Sequence, residues 1–217
     1  MPSTCDLCDA LDPAVSDCTL QRHLNAAQSR VVAANAHAAA IPTIGAYVAG
    51  YLLLVPRGHV LSLGALDRNA RAGVDALMRE MAARLADRYD SPVLGFEYGL
   101  NAAGQRRIEH GHLHLLPTAA NLHGWLAGRL AGYPIASLAD LPADPAHSYI
   151  LVRDQGGALT VYPVPTDTHP RIRLRHVVAA LDPRLDGNDW DWESDPHAGL
   201  MRRTVDDLAP ATSRPLP

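Results

Sequence analysis

The sequence EHGHLHLLP, at residues 109–117, sets both the fold and the chemistry that we expect of this chain. Side chains alternate between the two faces of a β-strand, so His110, His112 and His114 would form one row of imidazoles while the leucines face the core. Packing rarely accounts for three titratable rings on one face, even in a chain with 11 histidines. We therefore predict a strand at residues 108–116 whose histidine row is functional.

Two kinds of chemistry fit such a row. Imidazole is a common ligand of zinc, so the row could bind a catalytic metal, as His-x-His does in some hydrolases. Alternatively, one histidine could act as a nucleophile while its neighbours supply the acid, the base and the orienting contact. The spacing alone is compatible with both, and the sequence around the row has to separate them.

Composition limits the partners and the compartment. A chain of 217 residues with 47% hydrophobic content can bury one core with appendages. Its 19 basic and 23 acidic residues give a formal charge of −4, which predicts no binding to nucleic acid polymers or to membranes. The beginning of the chain has no signal-peptide pattern and no apolar stretch is long enough to cross a bilayer, so we expect a cytoplasmic protein.

Cys5 and Cys8 form a Cys-x-x-Cys pair. In the reducing cytoplasm, such a pair indicates a metal clip or a redox pair.

The hydrophobic pattern predicts both strands and helices. Asp67 can cap a helix that runs to about Asp90, with its apolar residues at helical spacing. Two apolar segments separated by a glycine-bearing turn, residues 149–152 and 158–164, are typical of a β-hairpin. Residues 46–55 predict a strand, or a bent pair of strands with Gly50 between the two pieces. The other predicted elements are strands at residues 30–35 and 93–98, helices at residues 125–130 and 173–181, and a polar tail from Pro183 onward.

The residues around the row resemble the histidine-triad superfamily, whose signature is His-φ-His-φ-His-φ-φ, where φ is an apolar residue. The resemblance covers residues 5–117 and includes GYLLLVPRGH at residues 50–59, the long helix, and Gly104-Gln105 ahead of the row. Within the superfamily, FEYG at residues 96–99 and the pair Glu109-His110 look like a bacterial branch with a C-terminal extension.

The resemblance implies an α+β fold, with a mainly antiparallel sheet against a long helix. It divides the chain into a histidine-triad nucleotide-binding core at residues 1–120 and an extension at residues 121–217, whose hairpin, helix and tail pack on the core. It also implies a homodimer. Within the tail, Trp190 and Trp192 could cover the nucleotide site, although anchoring the tail to the core is the favoured interpretation.

The function that the resemblance implies is that of a nucleotide hydrolase or nucleotidyltransferase. His112 would attack the α-phosphorus of a nucleoside phosphate conjugate, with a nucleotidyl-histidine as intermediate, while His110 and His114 bind the phosphate or tune the row. An imidazole near neutral pH is both nucleophilic and a good leaving group. Phosphoramidase, dinucleoside polyphosphate hydrolase, and nucleotidylyltransferase or phosphorylase activities all use this row. The expected substrate is a small-molecule nucleotide with a purine base. Two alternatives stay open: a zinc-dependent hydrolase with the row as metal site, and a non-catalytic nucleotide-binding regulator.

Three further residues are candidates for binding the nucleotide or its phosphate. Gln105 matches a glutamine of the family, and Arg107 stands where serine or threonine is common and could bind phosphate through two hydrogen bonds. Glu97 falls about where many relatives have an asparagine, and it would accept from a ribose hydroxyl, orient a histidine, or be structural. Gly111 replaces a bulkier apolar residue, so we expect looser local packing there.

The resemblance also implies a structural zinc. In similar bacterial proteins, the Cys-x-x-Cys clip is completed by the histidine after the Val-Pro strand and by the first histidine of the triad. Those positions match His59 and His110, so the expected ligands are Cys5, Cys8, His59 and His110. This zinc would tie the beginning of the chain to the sheet and hold His110 neutral, and no catalytic cofactor is expected. The alternative is a pair of free thiols.

Overall fold

The computed structural model describes residues 5–100, 108–142, 147–165, 172–185 and 195–209. The strands in these ranges are β1 (Ala33–Ala34), β2 (Ala38–Pro42), β3 (Leu52–Pro56), β4 (Val93–Gly99), β5 (Leu113–Pro117), β6 (Tyr133–Ile135), β7 (Ser148–Arg153) and β8 (Leu159–Val164). The α-helices are α1 (Asp6–Leu11), α2 (Arg68–Tyr89), α3 (Leu122–Ala127), α4 (Leu174–Leu181) and α5 (Ala198–Leu208), and 3-10 turns lie at Gln21–His23, Leu63–Ala65 and Leu138–Asp140.

All eight strands belong to one sheet in the order β1-β2-β3-β5-β4-β7-β8-β6. Every neighbouring pair is antiparallel. A sheet of this kind with separate helices is an α+β fold, so the expected fold class is confirmed. Among the described residues, no helix is both long and apolar enough to span a membrane.

The long helix α2 covers one face of the sheet. Asp67 caps its first turn by accepting a hydrogen bond from the Ala70 amide at 2.8 Å, and Asp90, in the left-handed region at φ 44°, ends it before a proline. Its apolar side chains at helical spacing are buried against leucines of β3 and β5. These residues are Val74, Leu77, Met78, Met81 and Leu85 on the helix, and Leu52, Leu54, Leu113 and Leu115 on the strands.

The other face of the sheet is covered as well. Phe96 on β4, Ile150 on β7 and Leu116 on β5 pack there with side chains from α3 and α4. α5 lies over the neighbouring part of this face, where Met201 packs in one cluster with residues of β3. Because both faces are covered, the strands are buried almost continuously, and the few polar side chains inside them need partners.

Residues beyond 120 extend the same sheet. β7 and β8 form the predicted hairpin, with Gly157 in the turn at φ 89°. β7 then pairs with β4, from Gly95 opposite Arg153 to Gly99 opposite Tyr149. Strands from both sides of residue 120 share one sheet, so the sheet does not mark a boundary there. The division of the chain at residue 120 stays a prediction.

Several sequence predictions differ from the structure in detail. β5 begins at Leu113, so His110 and His112 lie in the loop before the strand, which is held by the Gly111 amide donating to the Val60 carbonyl at 2.6 Å. The expected strand at residues 46–55 is limited to β3, because Gly50 adopts a left-handed φ of 85° just before it. β2 and α5 were not predicted: β2 is rich in alanine, a poor strand former, and it becomes a strand by pairing with β3.

Candidate active site

The histidine row is almost completely buried. His114 lies on β5 between two strands, opposite Leu53 on β3 and Phe96 on β4. The Phe96 ring stacks on the His114 ring, with centroids 4.6 Å apart and planes 14° from parallel. The His112 ring meets the His114 ring edge-on at 4.9 Å. The two rings therefore lie together on the face of the sheet opposite α2.

His112 is oriented by the backbone of the row itself. Its Nδ1 lies 2.6 Å from the carbonyl oxygen of His110. A carbonyl oxygen only accepts, so Nδ1 must carry the hydrogen, and in the neutral ring the lone pair is on Nε2. The loop before β5 thus fixes the tautomer that a nucleophilic imidazole attacking through Nε2 requires.

His114 has a different kind of partner at the same ring atom. Its Nδ1 lies 2.9 Å from the hydroxyl oxygen of Tyr51, just before β3. Burial raises the pKa of Tyr51, which keeps the phenol protonated near neutral pH. Beside this ring lies Arg175 of α4, whose guanidinium carbon is 5.2 Å from the Tyr51 ring centroid.

Sequence reasoning missed both Tyr51 and Arg175. Tyr51 belongs to the GYLLLVPRGH segment and to a predicted apolar strand, and neither pattern shows that its hydroxyl is completely buried. Arg175 has no local signal at all, because its place beside the row depends on how α4 returns to the sheet. Neither position could be read from spacing.

His110 points into a second cluster rather than along the row. Its Nδ1 lies 3.5 Å from Cys5 Sγ and 3.4 Å from Cys8 Sγ, while Cys8 Sγ is 3.3 Å from His59 Nδ1. The four ligand atoms all lie within 4.8 Å of one another. The structure therefore brings together Cys5, Cys8, His59 and His110 as a group that could hold a metal ion.

The surroundings of His110 suit a neutral metal ligand. Its Nε2 lies 3.0 Å from the Pro56 carbonyl oxygen, so this nitrogen carries the hydrogen and Nδ1 presents its lone pair to the two thiols. Burial lowers the pKa of His110, which favours the neutral ring. Through its carbonyl, the same residue orients His112, and so the metal-ligand cluster and the histidine row share one stretch of backbone.

Local structure explains how the two cysteines meet. Cys5 is the N-cap residue of α1, and its Sγ lies 3.5 Å from the Cys8 amide. One helical turn then brings Cys8 next to the same histidine ring. His59 follows the end of β3 at Pro56, so the cluster joins the beginning of the chain, β3 and the loop that carries His110.

Glu97 lies on the opposite face of β4 from Phe96, and thus away from His114. Its carboxylate accepts from the Leu63 amide at 2.8 Å and from the Tyr149 hydroxyl at 2.7 Å. Glu97 itself is completely buried, and both partners belong to the core beneath α2. This position favours the structural alternative for Glu97 over contact with a nucleotide.

Gln105 and Arg107 lie outside the described residues, as do Trp190 and Trp192. The nucleotide-binding and covering roles assigned to them stay predictions.

Gly111 is closely packed, which corrects the expectation of looser packing. A Cβ at this position would lie 2.8 Å from Ser62 Cα and 2.9 Å from the Ser62 backbone nitrogen. Real Cβ atoms do not approach backbone so closely, so a side chain here would push the loop of His110 and His112 away from its neighbour. Only glycine fits between the two histidines without moving this loop.

We expect Gly111→Ala to lower the free energy of unfolding by about 1 to 3 kcal/mol, the usual cost of overpacking. Urea denaturation measures it. Gly58→Ala is the matched control, because a Cβ at Gly58 meets nothing within 4 Å, and its effect should stay within about 0.5 kcal/mol. Equal effects of the two substitutions would contradict the close packing of Gly111.

Comparison with known proteins gives one sequence relative. No family model matches the chain. A curated protein of Mycoplasma pneumoniae, described as an uncharacterized 16.1 kDa HIT-like protein, where HIT abbreviates histidine triad, is 27% identical over 86 residues. These residues are 40% of this chain and 60% of that protein, so the chain spans less than two thirds of the length of its relative.

Two solved structures named after the histidine triad are similar to part of the chain. An HIT family protein from Bacillus anthracis is 19% identical, covers 53% of this chain and 73% of its own, and has a TM-score of 0.42. A hypothetical histidine triad nucleotide-binding protein from Sulfolobus tokodaii is 20% identical, covers 41% of this chain and 60% of its own, and has a TM-score of 0.37.

Three observations agree with one another: the sequence signature at residues 110–116, the position of its last histidine inside an antiparallel sheet, and the match to a HIT-like protein. On these grounds the chain is similar to proteins of the histidine-triad superfamily.

Proposed function

We propose that this protein is a nucleotide hydrolase or nucleotidyltransferase in which His112 attacks the α-phosphorus of a nucleoside phosphate conjugate. The observation that carries the proposal is the hydrogen bond from His112 Nδ1 to the His110 carbonyl. It places the lone pair of the neutral ring on Nε2 and restrains the ring before substrate arrives. Similarity to the superfamily supports a nucleotide substrate and phosphorus chemistry in general.

The reaction has two steps. In the first, Nε2 of His112 forms a bond to the α-phosphorus while the bond from phosphorus to the leaving group breaks, and the leaving group departs with that electron pair. In the second, water or another acceptor attacks the same phosphorus, and His112 leaves with its electron pair restored. Water yields a nucleoside monophosphate, whereas another nucleophile yields a transfer product.

The metal-ligand cluster fits zinc, and we propose that it holds zinc in a structural role. Two sulfur and two nitrogen ligands are typical of tetrahedral zinc, whose ligand atoms lie about 3.5 Å apart when each is about 2.0 to 2.3 Å from the metal. The distances of 3.3, 3.4 and 3.5 Å among Cys5, Cys8, His59 and His110 are of this size. Bound zinc would supply stability, by joining α1 to the sheet.

The direction of the ring nitrogens argues against a single metal bound by the whole row. His110 turns its Nδ1 to the cysteines, and His112 uses its Nδ1 for a carbonyl. The metal-ligand group found among the described residues contains His110 but neither His112 nor His114. The histidine row is thus divided between a metal-ligand cluster and a reacting pair.

The substrate that we propose is a small nucleotide conjugate, with a purine base, rather than a nucleic acid polymer or a membrane surface. Homodimer formation and a cytoplasmic location also remain part of the proposal. The linkage to the leaving group, P–N or P–O–P, decides between phosphoramidase and dinucleoside polyphosphate hydrolase activity, and the acceptor in the second step decides between hydrolysis and transfer.

Intact-protein mass spectrometry tests the proposed intermediate. The protein is mixed briefly with adenylylated and guanylylated phosphoramidates and dinucleoside polyphosphates, and the reaction is quenched without acid because phosphohistidine bonds are acid-labile. We expect wild type to gain the mass of one nucleoside monophosphate and His112→Asn to gain none. His23→Asn, which substitutes a histidine outside the row, should behave as wild type.

Two results would overturn the proposal. The first is an adduct that persists in folded His112→Asn, since the nucleophile would then be another residue. The second is folded wild-type protein that gives neither adduct nor product with any of the compounds. If such a protein still bound nucleotides, it would be the non-catalytic regulator.

A further inference from the structure

His112 and His114 have adjacent rings whose Nδ1 atoms face partners of opposite character. The partner of His112 is a carbonyl oxygen, which can only accept a hydrogen bond. The partner of His114 is the Tyr51 hydroxyl, which can also donate one. The tautomer of His114 therefore depends on which way the Tyr51 hydrogen points.

We propose that Tyr51 and Arg175 are positioning residues that hold His114 in the opposite tautomer from His112, with its hydrogen on Nε2, where it donates to the substrate. This inference rests on the proposed function. It adds two residues that neither the triad signature nor the sequence pattern indicates, one of them from the part of the chain beyond residue 120.

The surroundings of Tyr51 favour donation to His114. The phenol is completely buried, and burial raises its pKa, so it keeps its hydrogen at neutral pH. Arg175 lies over the Tyr51 ring and has only donors to offer. The charge of Arg175, and hydrogen bonding to the phenol by Tyr47 and Arg175, oppose the effect of burial on its pKa. A phenol polarised in this way is the stronger donor toward His114 Nδ1.

Arg175 is itself held in place. Its Nη2 donates to the Gly45 carbonyl at 2.6 Å and lies 3.3 Å from the Ile44 carbonyl. At the other end of α4, the Asp182 carboxylate accepts a hydrogen bond at 2.5 Å from the hydroxyl of Thr118, the residue that follows β5. Contacts at both ends therefore fix α4 beside the row.

The His114 ring cannot easily turn to exchange its two nitrogens. Phe96 stacks on one of its faces at 4.6 Å, and Tyr51 contacts it with the ring planes 60° apart. When Nδ1 accepts a hydrogen bond from Tyr51, the neutral ring carries its hydrogen on Nε2. A hydrogen there makes His114 a donor, placed one ring away from the nucleophile.

The two histidines would then have different roles at the phosphorus. His112 contributes an electron pair through Nε2, and His114 contributes an N–H that can bond the phosphoryl or leaving-group oxygen on which charge develops. No proton needs to leave His114 for this role. If both histidines carried the hydrogen on Nδ1, two lone pairs would face an anionic phosphate.

Nitrogen NMR reads the tautomers directly. Long-range ¹H–¹⁵N correlation spectra of the full-length ¹⁵N-labelled protein, recorded without substrate, distinguish the two forms of each neutral ring. His112→Asn and His114→Asn identify the two sets of signals by their disappearance. We expect His112 with its hydrogen on Nδ1 and His114 with its hydrogen on Nε2. A wild-type His114 with its hydrogen on Nδ1 would overturn the inference.

Kinetics of substituted proteins provide the second readout. Tyr51→Phe should shift the His114 signals toward a mixture of tautomers and lower kcat about 10- to 100-fold with little change in KM, a cost similar to that of losing a group that orients a metal-bound histidine. Arg175→Met should cause a smaller change in the same direction, and Arg175→Lys should restore part of it. Arg173→Met, an exposed residue at the start of α4, is the matched control.

The two proposals can fail separately. The spectra need no turnover, so the predicted tautomers together with no His112 adduct would overturn the proposed function alone. An adduct on His112 combined with Tyr51→Phe spectra and kcat equal to those of wild type would overturn the role of Tyr51 alone.

Discussion

Cys8→Ser is expected to remove the metal and to lower the free energy of unfolding by about 5 kcal/mol or more. Bound structural zinc contributes on the order of 10 kcal/mol to small zinc domains, and here part of that contribution is replaced by the large core under α2. The substitution takes away the sulfur that lies closest to both histidine ligands, at 3.3 Å from His59 and 3.4 Å from His110. Metal analysis of the purified protein and urea denaturation with and without a chelator measure the two effects.

The matched control is Cys18→Ala, because Cys18 is a buried cysteine that is not one of the four residues of the metal-ligand cluster. It should lose some packing energy while keeping the full metal content. The alternative in which the histidine row itself binds a catalytic zinc predicts the reverse pattern. Retention of one zinc per chain in Cys8→Ser, with loss in His112→Asn, would establish that alternative.

The same substitution should slow the reaction without abolishing it. His110 belongs to the metal-ligand cluster through its ring and orients His112 through its carbonyl, so release of the metal loosens the loop that fixes the nucleophile. The nucleophile itself remains. At low temperature, where the variant is folded, adduct formation should therefore still be detectable, whereas His112→Asn should form none.

Sequence alone was sufficient where the signal was local and periodic. The apolar spacing and Asp67 cap predicted α2 almost to its ends, and the glycine turn predicted the hairpin of β7 and β8. Strand alternation placed His114 on the opposite face from its neighbouring leucines. In each case, the structure follows from residues that are close together in the chain.

The prediction failed where long-range contacts decide the structure. β2 consists largely of alanine, and only its pairing with β3 makes it a strand. The His114 partner Tyr51 lies just before β3, and Arg175 reaches the site from α4, so the contacts exist only once the sheet and the helices that cover it are assembled. The same holds for Gly111, which must be a glycine because the Ser62 backbone leaves no room for a side chain.

Glu97→Gln is expected to lower the free energy of unfolding by about 2 to 4 kcal/mol, because it leaves a buried donor without an acceptor. Both carboxylate oxygens accept hydrogen bonds, from the Leu63 amide and the Tyr149 hydroxyl. A glutamine offers one oxygen and one NH₂ group in their place. A reversed Tyr149 hydroxyl could accept from this NH₂ group as well as from the Gly64 amide at 2.9 Å, but its own hydrogen would then lose the acceptor that the carboxylate provides. Urea denaturation measures the loss.

Tyr149→Phe, alone and combined with Glu97→Gln, separates a structural role of Glu97 from contact with the nucleotide. Tyr149→Phe removes the second donor to the carboxylate, and the effects of the two substitutions should be less than additive because they share one hydrogen bond. For the folded fraction of Glu97→Gln, KM for the nucleotide should stay within about twofold of wild type, since an interaction absent from the ligand site changes neither ground-state nor transition-state binding. A large rise in KM at unchanged stability would instead mean that Glu97 contacts the nucleotide. In that case, the carboxylate would have to leave its place beneath α2 when the ligand binds.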